Sequence, residues 1–208
     1  MIYEAIAKDY DKLYRKNRHI AEDTALARII NAYIERLSPR SILDIGCGTG
    51  AIIARLNLSR TVYTGVDISG SMIAQARLKY PEHNFIVGNA ISINVPYELI
   101  ISNYGAINYI ETRALHEWLN HISVDCKTNF VFSAYTDKYR PAYHDTDYGN
   151  IYKVRPEDFS HSLERHRQFS PILPGAFDEL PPWVWRRLLF QNFPVISYRY
   201  QIFEGSYG

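Results

Sequence analysis

Apolar positions in the first forty residues recur at helical spacing. In "AEDTALARIINAYIERLSPR", Leu26, Ile29, Ile30, Tyr33, Ile34 and Leu37 follow the i, i+3, i+4, i+7, i+8, i+11 pattern of one helical face, and Pro39 ends that helix. From Ser41 the pattern changes. Short apolar runs at 42–45, 61–66, 84–87, 99–102 and 129–134 read as strands, and helices fit about 50–57, 70–79 and 112–122. Strands alternating with helices predict right-handed crossovers and an α/β, Rossmann-like, mostly parallel sheet with helices on both faces. The alternation stops near residue 138. Residues 138–182 are proline-rich, hold the polar and aromatic run "YRPAYHDTDYGN", and suggest a helix in "PEDFSHSLERHRQF". A last helix, "WVWRRLLFQNF", leads to "VISYRYQIF", which alternates like a strand. The expected organisation is one domain: a helical lid over 1–40, a core over 41–137, an insertion over 138–182 and a final helix and strand over 183–208.

Composition narrows this picture only slightly. The 208 residues suffice for one full core. With 23 basic against 22 acidic residues the formal charge is +1, which disfavours a polyanionic partner without excluding a local basic groove. Cys47 and Cys126 lie far apart with no metal-type spacing, so a reduced cytoplasmic protein without a metal centre is expected. The stretch "MIYEAIAKDYDKLYRK" is broken by charges and lacks a signal peptide's apolar centre, and no run approaches membrane-spanning length. The 17 tyrosines suit a substrate site and half-buried packing equally.

The chemistry concentrates in "SILDIGCGTGAIIARL". Gly46 and Gly48 permit a tight turn after the first strand and let a ligand lie against the backbone. The expected helix over 50–57 would present free N–H groups to it. Asp67 ends the second strand, where a carboxylate can accept bonds from two ribose hydroxyls. The spacing of Gly46, Gly48 and Ala51 also suits a dinucleotide fingerprint. Asp44 separates the two cases. A carboxylate there repels a pyrophosphate and attracts the amino group of a methionyl moiety, favouring S-adenosylmethionine over NAD.

The same residues carry a family resemblance. "ILDIGCGTG" resembles motif I of the class I S-adenosylmethionine-dependent methyltransferases, and "GVDISGSMIAQAR" is similar to their second motif. "FIVGNAISI" and "YELIISNYGAINYI" occupy the segments after strand 3 and at strand 4, and "YEAIAKDYDKLY" is similar to the N-terminal helix of small-molecule, sugar-amine N-methyltransferase-like members. The resemblance implies that Asp44 and the Gly46–Gly50 backbone, with Cys47 and Gly48 in it, hold the methionine part and Asp67 the ribose. By the same token Ile68 and Met72 pack near the adenine, Asn89 and Ala90 meet its polar edge, and Ser102 lies by the methionine tail. Tyr14 belongs to the lid over the cofactor. Where this chain has Asn89 the family more often has Asp. The reaction it implies is methyl transfer from S-adenosylmethionine, leaving S-adenosylhomocysteine, to a nitrogen or oxygen of a small molecule.

A sulfonium donor is already activated, so alignment can suffice and a base is needed only if a proton must leave. Candidates near the acceptor are Tyr10 on the lid, Asn103 and Tyr104 after strand 4, and His144 with Asp145 and Asp147 in "YHDTDY". The strand-4 end lacks the Asn/Asp-Pro-Pro-Tyr/Phe motif of adenine and glutamine N-methyltransferases. The chain also has no Pro-Cys pair for cytosine chemistry. An RNA or protein methyltransferase, a non-catalytic adenosyl-ligand binder and a user of a carboxylated donor remain rival readings.

Overall fold

The fold is taken from a computed structural model, which describes residues 2–124, 126–137, 150–159, 162–171, 175–191 and 198–208. Two short helices, α1 (Ile2–Ile6) and α2 (Tyr10–Leu13), precede the long helix α3 (Asn17–Leu37). Helix α3 buries Leu26, Ile30, Tyr33 and Ile34, the stripe expected from spacing. It ends where Ser38 takes a left-handed conformation and donates its N–H to the Ile34 carbonyl, immediately before Pro39.

Seven strands follow: β1 (Ser41–Ile45), β2 (Val62–Asp67), β3 (Asn84–Val87), β4 (Leu99–Ser102), β5 (Thr128–Tyr135), β6 (Leu163–Pro171) and β7 (Tyr198–Tyr207). They form one sheet in the order β3-β2-β1-β4-β5-β7-β6. All neighbours from β3 to β5 pair in parallel, and β7 runs antiparallel to both β5 and β6. Two cores form because successive side chains point to opposite faces. Ile42 and Ile101 join α3 and Trp185 of α6 (Pro182–Leu188) on one face. Leu43, Ile45 and Ile100 join Leu115, Trp118 and Leu119 of α5 (Thr112–Ile122) on the other. Helix α4 (Gly70–Lys79) connects β2 to β3 and starts at a Ser69 cap whose hydroxyl accepts from the Met72 N–H.

Two sequence expectations fail. No α-helix follows the glycine loop; residues 50–57 hold turns and a 3₁₀ turn at Ile53–Arg55. Gly50, at φ +73°, turns the chain out of helical geometry, and the adjacent β-branched Ile52 and Ile53 add little helix propensity. The supposed helix in 156–169 is a short 3₁₀ turn, Pro156–Phe159, followed by β6. The charges of β6 mimic an amphipathic helix because it is an edge strand whose polar side chains meet partners on β7. Arg167 bonds Glu204, and His166 contacts Gln201.

The strand order reverses between β1 and β4, and such a switch point opens a crevice at the carboxyl ends of the strands. The register brings Ile45 beside both Val66 and Ser102, so the glycine loop, Asp67 and the loop after β4 share one edge. Helix α3 runs into β1, which places its first turns, residues 17–23, at that same edge.

Candidate active site

The glycine loop is strapped to β2. Gly46 and Cys47 both donate their N–H groups to the Val66 carbonyl, at 2.8 and 3.1 Å. Gly46, Gly48 and Gly50 all have positive φ, at +68°, +55° and +73°. A Cβ at Gly46 would stand 2.2 Å from that of Ala106, whereas one at Gly48 would meet nothing within 4 Å. The loop is thus packed from below at Gly46 and open above at Gly48. Cys47 is buried against β2, and burial pushes its thiol well up, so it behaves as a packing group and not as a nucleophile.

Two carboxylates frame this loop. Asp67 accepts from the Gly48 N–H and the Ser69 N–H, each at 2.9 Å, which ties loop, strand end and α4 together. Burial raises its pKa, opposed by those two N–H groups. Asp44 is 1% exposed and accepts a 2.6 Å bond from the Tyr63 hydroxyl. Burial pushes its pKa up to about 7, against the pull of Tyr63. Ile68, beside Asp67, is an apolar side chain left 44% exposed. Met72 is fully buried. Asn89 turns its side-chain oxygen onto the Ile91 N–H at 3.3 Å and precedes the buried Ala90. Ser102 donates its hydroxyl to the Ile45 carbonyl at 3.0 Å, joining β4 to β1 below the crevice.

The N-terminal helices are fastened over this region. Glu4 accepts from the Ser71 N–H at the start of α4, at 3.0 Å, and the side chains of Ser71 and Ser69 hold its carboxyl below the usual range. Asp11 accepts from Thr49 of the glycine loop at 2.5 Å and pairs with Lys79. The rings of Tyr10 and Tyr14 pack with centroids 4.8 Å apart, tilted by 39°. Burial raises the Tyr10 phenol well above its ordinary value, so it stays protonated at neutral pH.

The loop after β4 takes an unusual path. Tyr104 has φ +56° and Gly105 φ +80°. The Tyr104 hydroxyl donates to Asp23 of α3, and burial with that neighbour keeps it a neutral phenol. Asn103 has a buried side-chain oxygen without a hydrogen-bond partner among the described residues. Asn108 is structural: its oxygen accepts from the Tyr135 N–H and its amide donates to the Tyr152 carbonyl, both at 2.8 Å. His144, Asp145 and Asp147 lie outside the described residues. Among the described residues no group of three or more His, Cys, Asp or Glu could hold a metal ion.

Further along the edge stands a buried ionic cluster that no motif announced. Arg18 Nε donates to Asp178 at 2.8 Å, and Arg18 Nη1 donates to Glu22 at 2.7 Å. Ser170 donates to the same Glu22 oxygen, and Arg199 Nη1 reaches Ser170 at 3.4 Å. One signal was available. Positions 18, 22, 26, 30, 33 and 37 form a single stripe, so Arg18 and Glu22 extend an apolar face with charges.

Against known families, residues 42–128 match the description "Methyltransferase domain". That match covers 87 of the 208 residues. The trans-aconitate 2-methyltransferase of Rhodopseudomonas palustris strain BisB18 is 43% identical over 72 residues, which are 33% of this chain and 27% of that one. Its counterpart in strain BisA53 is 34% identical over 106 residues, 49% of this chain and 38% of that one. The matches to these curated relatives therefore span well under half of their length. The chain as a whole shares its fold with a S-adenosylmethionine-dependent methyltransferase of Clostridium acetobutylicum. The TM-score is 0.59 at 17% identity, covering 99% of each chain. Magnesium protoporphyrin IX methyltransferase of Synechocystis PCC 6803, crystallised with S-adenosylhomocysteine, has the same fold at TM-score 0.57 and 14% identity, over 92% of this chain and 85% of that one. No helix among the described residues is long and apolar enough to cross a membrane.

The residues present fit S-adenosylmethionine. Gly48 leaves a cradle open, Ile68 offers an exposed apolar surface beside the Asp67 carboxylate, and Asp44 is a buried carboxylate whose ionised form a cation would stabilise.

Proposed function

We propose that this protein transfers a methyl group from S-adenosylmethionine to a nitrogen or oxygen of a small molecule. The observation that carries the reading is a pair of carboxylates, the buried Asp44 and the half-buried Asp67, on either side of a glycine loop that is open at Gly48. The similarity to methyltransferases supports it.

Each residue then has a task. Asp44 holds the methionyl ammonium, and that cation stabilises the ionised carboxylate. Asp67 keeps one oxygen on each of two backbone N–H groups and offers its remaining lone pairs to the ribose hydroxyls. The Gly46–Cys47–Gly48 backbone lets the ligand approach, and Ile68 packs against the adenine. Met72 supports Ile68's loop from the core. Asn89 and Ala90 meet the adenine's polar edge, and Ser102 fixes the strand ends under the methionine tail. Tyr14 closes over the cofactor, with Tyr10, Asn103 and Tyr104 toward the acceptor, and His144 is a further candidate on the sequence alone. When bound, the cofactor supplies a methyl group on a positively charged sulfur, already activated for displacement. The protein's own work is to align the acceptor and exclude water. Tyr10 and Tyr104 are both held protonated and do not take the acceptor's proton; Tyr104, whose hydroxyl proton goes to Asp23, meets a ligand only through its oxygen lone pairs.

Calorimetry on the intact protein tests this reading. Binding of S-adenosylmethionine and S-adenosylhomocysteine is expected, with none of NAD; the reverse preference overturns it. A labelled-methyl assay over small amines, alcohols and acids separates an enzyme from a binder without turnover.

A further inference from the structure

On the acceptor side of the edge, one histidine has its proton placed by its neighbour. Arg18 Nη2 lies 2.7 Å from His19 Nε2. A guanidinium can only donate, so Nε2 accepts and the proton of the neutral ring sits on Nδ1. Nδ1 is closed to solvent and has no hydrogen-bond partner among the described residues. An unmade bond at a buried N–H is costly, so such a group marks a place where a ligand atom belongs.

The surroundings tell which atom. Burial first, and Arg18 next, lower the ring's pKa to about 4; Lys16 and Arg199 act in the same direction and Asp178 opposes them. The imidazole is therefore neutral at physiological pH, and three cations bear on it. The remaining carboxylate of the cluster, Glu22, is taken up by Arg18 and Ser170. The ring of Tyr14 packs on the imidazole at 5.1 Å. Asp23, which holds Tyr104, lies four residues on and shares that side of α3. His19 thus stands between the lid and the loop after β4.

We propose that His19 is a positioning residue for the methyl acceptor, and that its Nδ1–H receives a carboxylate oxygen of a small organic acid. This rests on the methyltransferase reading above and names the substrate class for that site. An ionised carboxylate brings no proton that must leave, which suits a site whose tyrosines stay protonated.

The test uses the full chain, labelled with ¹⁵N-histidine and saturated with S-adenosylhomocysteine. Acetate serves as the minimal carboxylate and methylammonium as the minimal cation. At neutral pH the His19 signals are expected to show the Nδ1–H tautomer. Acetate is expected to shift them saturably, and methylammonium at equal concentration to leave them in place. Two variants add a second readout, with acetate binding followed on neighbouring amide signals. His19→Leu should weaken acetate about tenfold or more. His19→Asn, which keeps a side-chain N–H near the same place, should restore part of the affinity. Both should bind S-adenosylhomocysteine as the parent does. An Nε2–H tautomer, indifference to acetate, a preference for methylammonium, or equal acetate binding in His19→Leu would overturn the proposal while leaving the methyltransferase reading intact. Failure of the unmutated protein to bind S-adenosylhomocysteine would overturn both.

Discussion

On the β2–β1 side of the sheet edge, the bonds that shape the site join residues 19 positions apart: Gly48 to Asp67 and Tyr63 to Asp44. On the β7–β6 side they join residues 160 apart, Arg18 to Asp178, and 148 apart, Ser170 to Glu22. The first side works mainly through backbone N–H groups and two carboxylates whose positions follow from strand, loop and strand. The second works through side chains gathered from three distant parts of the chain. A local arrangement can be carried by a short motif. A dispersed one has no compact signature, and its chemistry appears only when the chain is folded.

The largest test of this contrast is Arg18→Ala. It leaves the buried Glu22 without its guanidinium and Asp178 with the longer Lys16 pair, and loss of about 3–5 kcal/mol of stability is expected. Urea denaturation measures it. The affinity for S-adenosylhomocysteine should change little at temperatures where the variant is folded, and a large drop would mean that the two sides are one unit.

Asp44→Asn should act in the opposite sense. The folded protein keeps the Asp44 proton up to about pH 7, whereas the unfolded chain loses it near 3.8. Its contribution is full below pH 4 and falls as pH rises through 7, by up to about 4 kcal/mol. The amide keeps a partner for Tyr63 and titrates nowhere, so denaturation at pH 5 and pH 8 should show a flatter profile and a more stable protein at pH 8. The same variant should bind S-adenosylmethionine more weakly, because the ammonium loses its counter-charge. A variant that is less stable at pH 8 would show that Asp44 is not held there at a cost.

Asp67→Asn is expected to lower affinity for S-adenosylhomocysteine about 100-fold, equivalent to about 2.7 kcal/mol, by calorimetry. The acceptor-side cluster should be untouched, as an unchanged His19 signal would report. The smallest effect is expected from Asp11→Ala. Removing the ties to Thr49 and Lys79 loosens the N-terminal helices by about 0.5–1 kcal/mol, read as a faster release of bound S-adenosylhomocysteine by stopped flow. No change in release rate would mean that α2 does not restrain the ligand.

The same contrast explains what could be read beforehand. Strands β3 and β4 and helices α4 and α5 lie where their apolar patterns place them, at 84–87, 99–102, 70–79 and 112–122. A buried parallel strand such as β4 is a continuous apolar run, and that signal is local. The segment 50–57 misled because a glycine loop before an apolar run usually opens a helix, and here the backbone at Gly50 sends the chain elsewhere. Strand β6 misled because "LERHRQFSP" shows its reason for being a strand only beside β7. The paired carboxylates were legible from Asp44 and Asp67 alone. His19 was not, because its importance comes from the guanidinium next to it and from the groups that Arg18 meets across the fold.

The long reach of Arg18 also has a consequence for biosynthesis. At about 5–20 residues per second, the 160 residues between Arg18 and Asp178 take roughly 8–32 s to add. Throughout that interval β1 to β5 can assemble, yet the first turns of α3 carry charges whose partners have not been made. Those turns must wait in water, so the nascent domain is expected to complete its cofactor half while the wall facing the acceptor is still open, and to seal it only when β6 and β7 arrive.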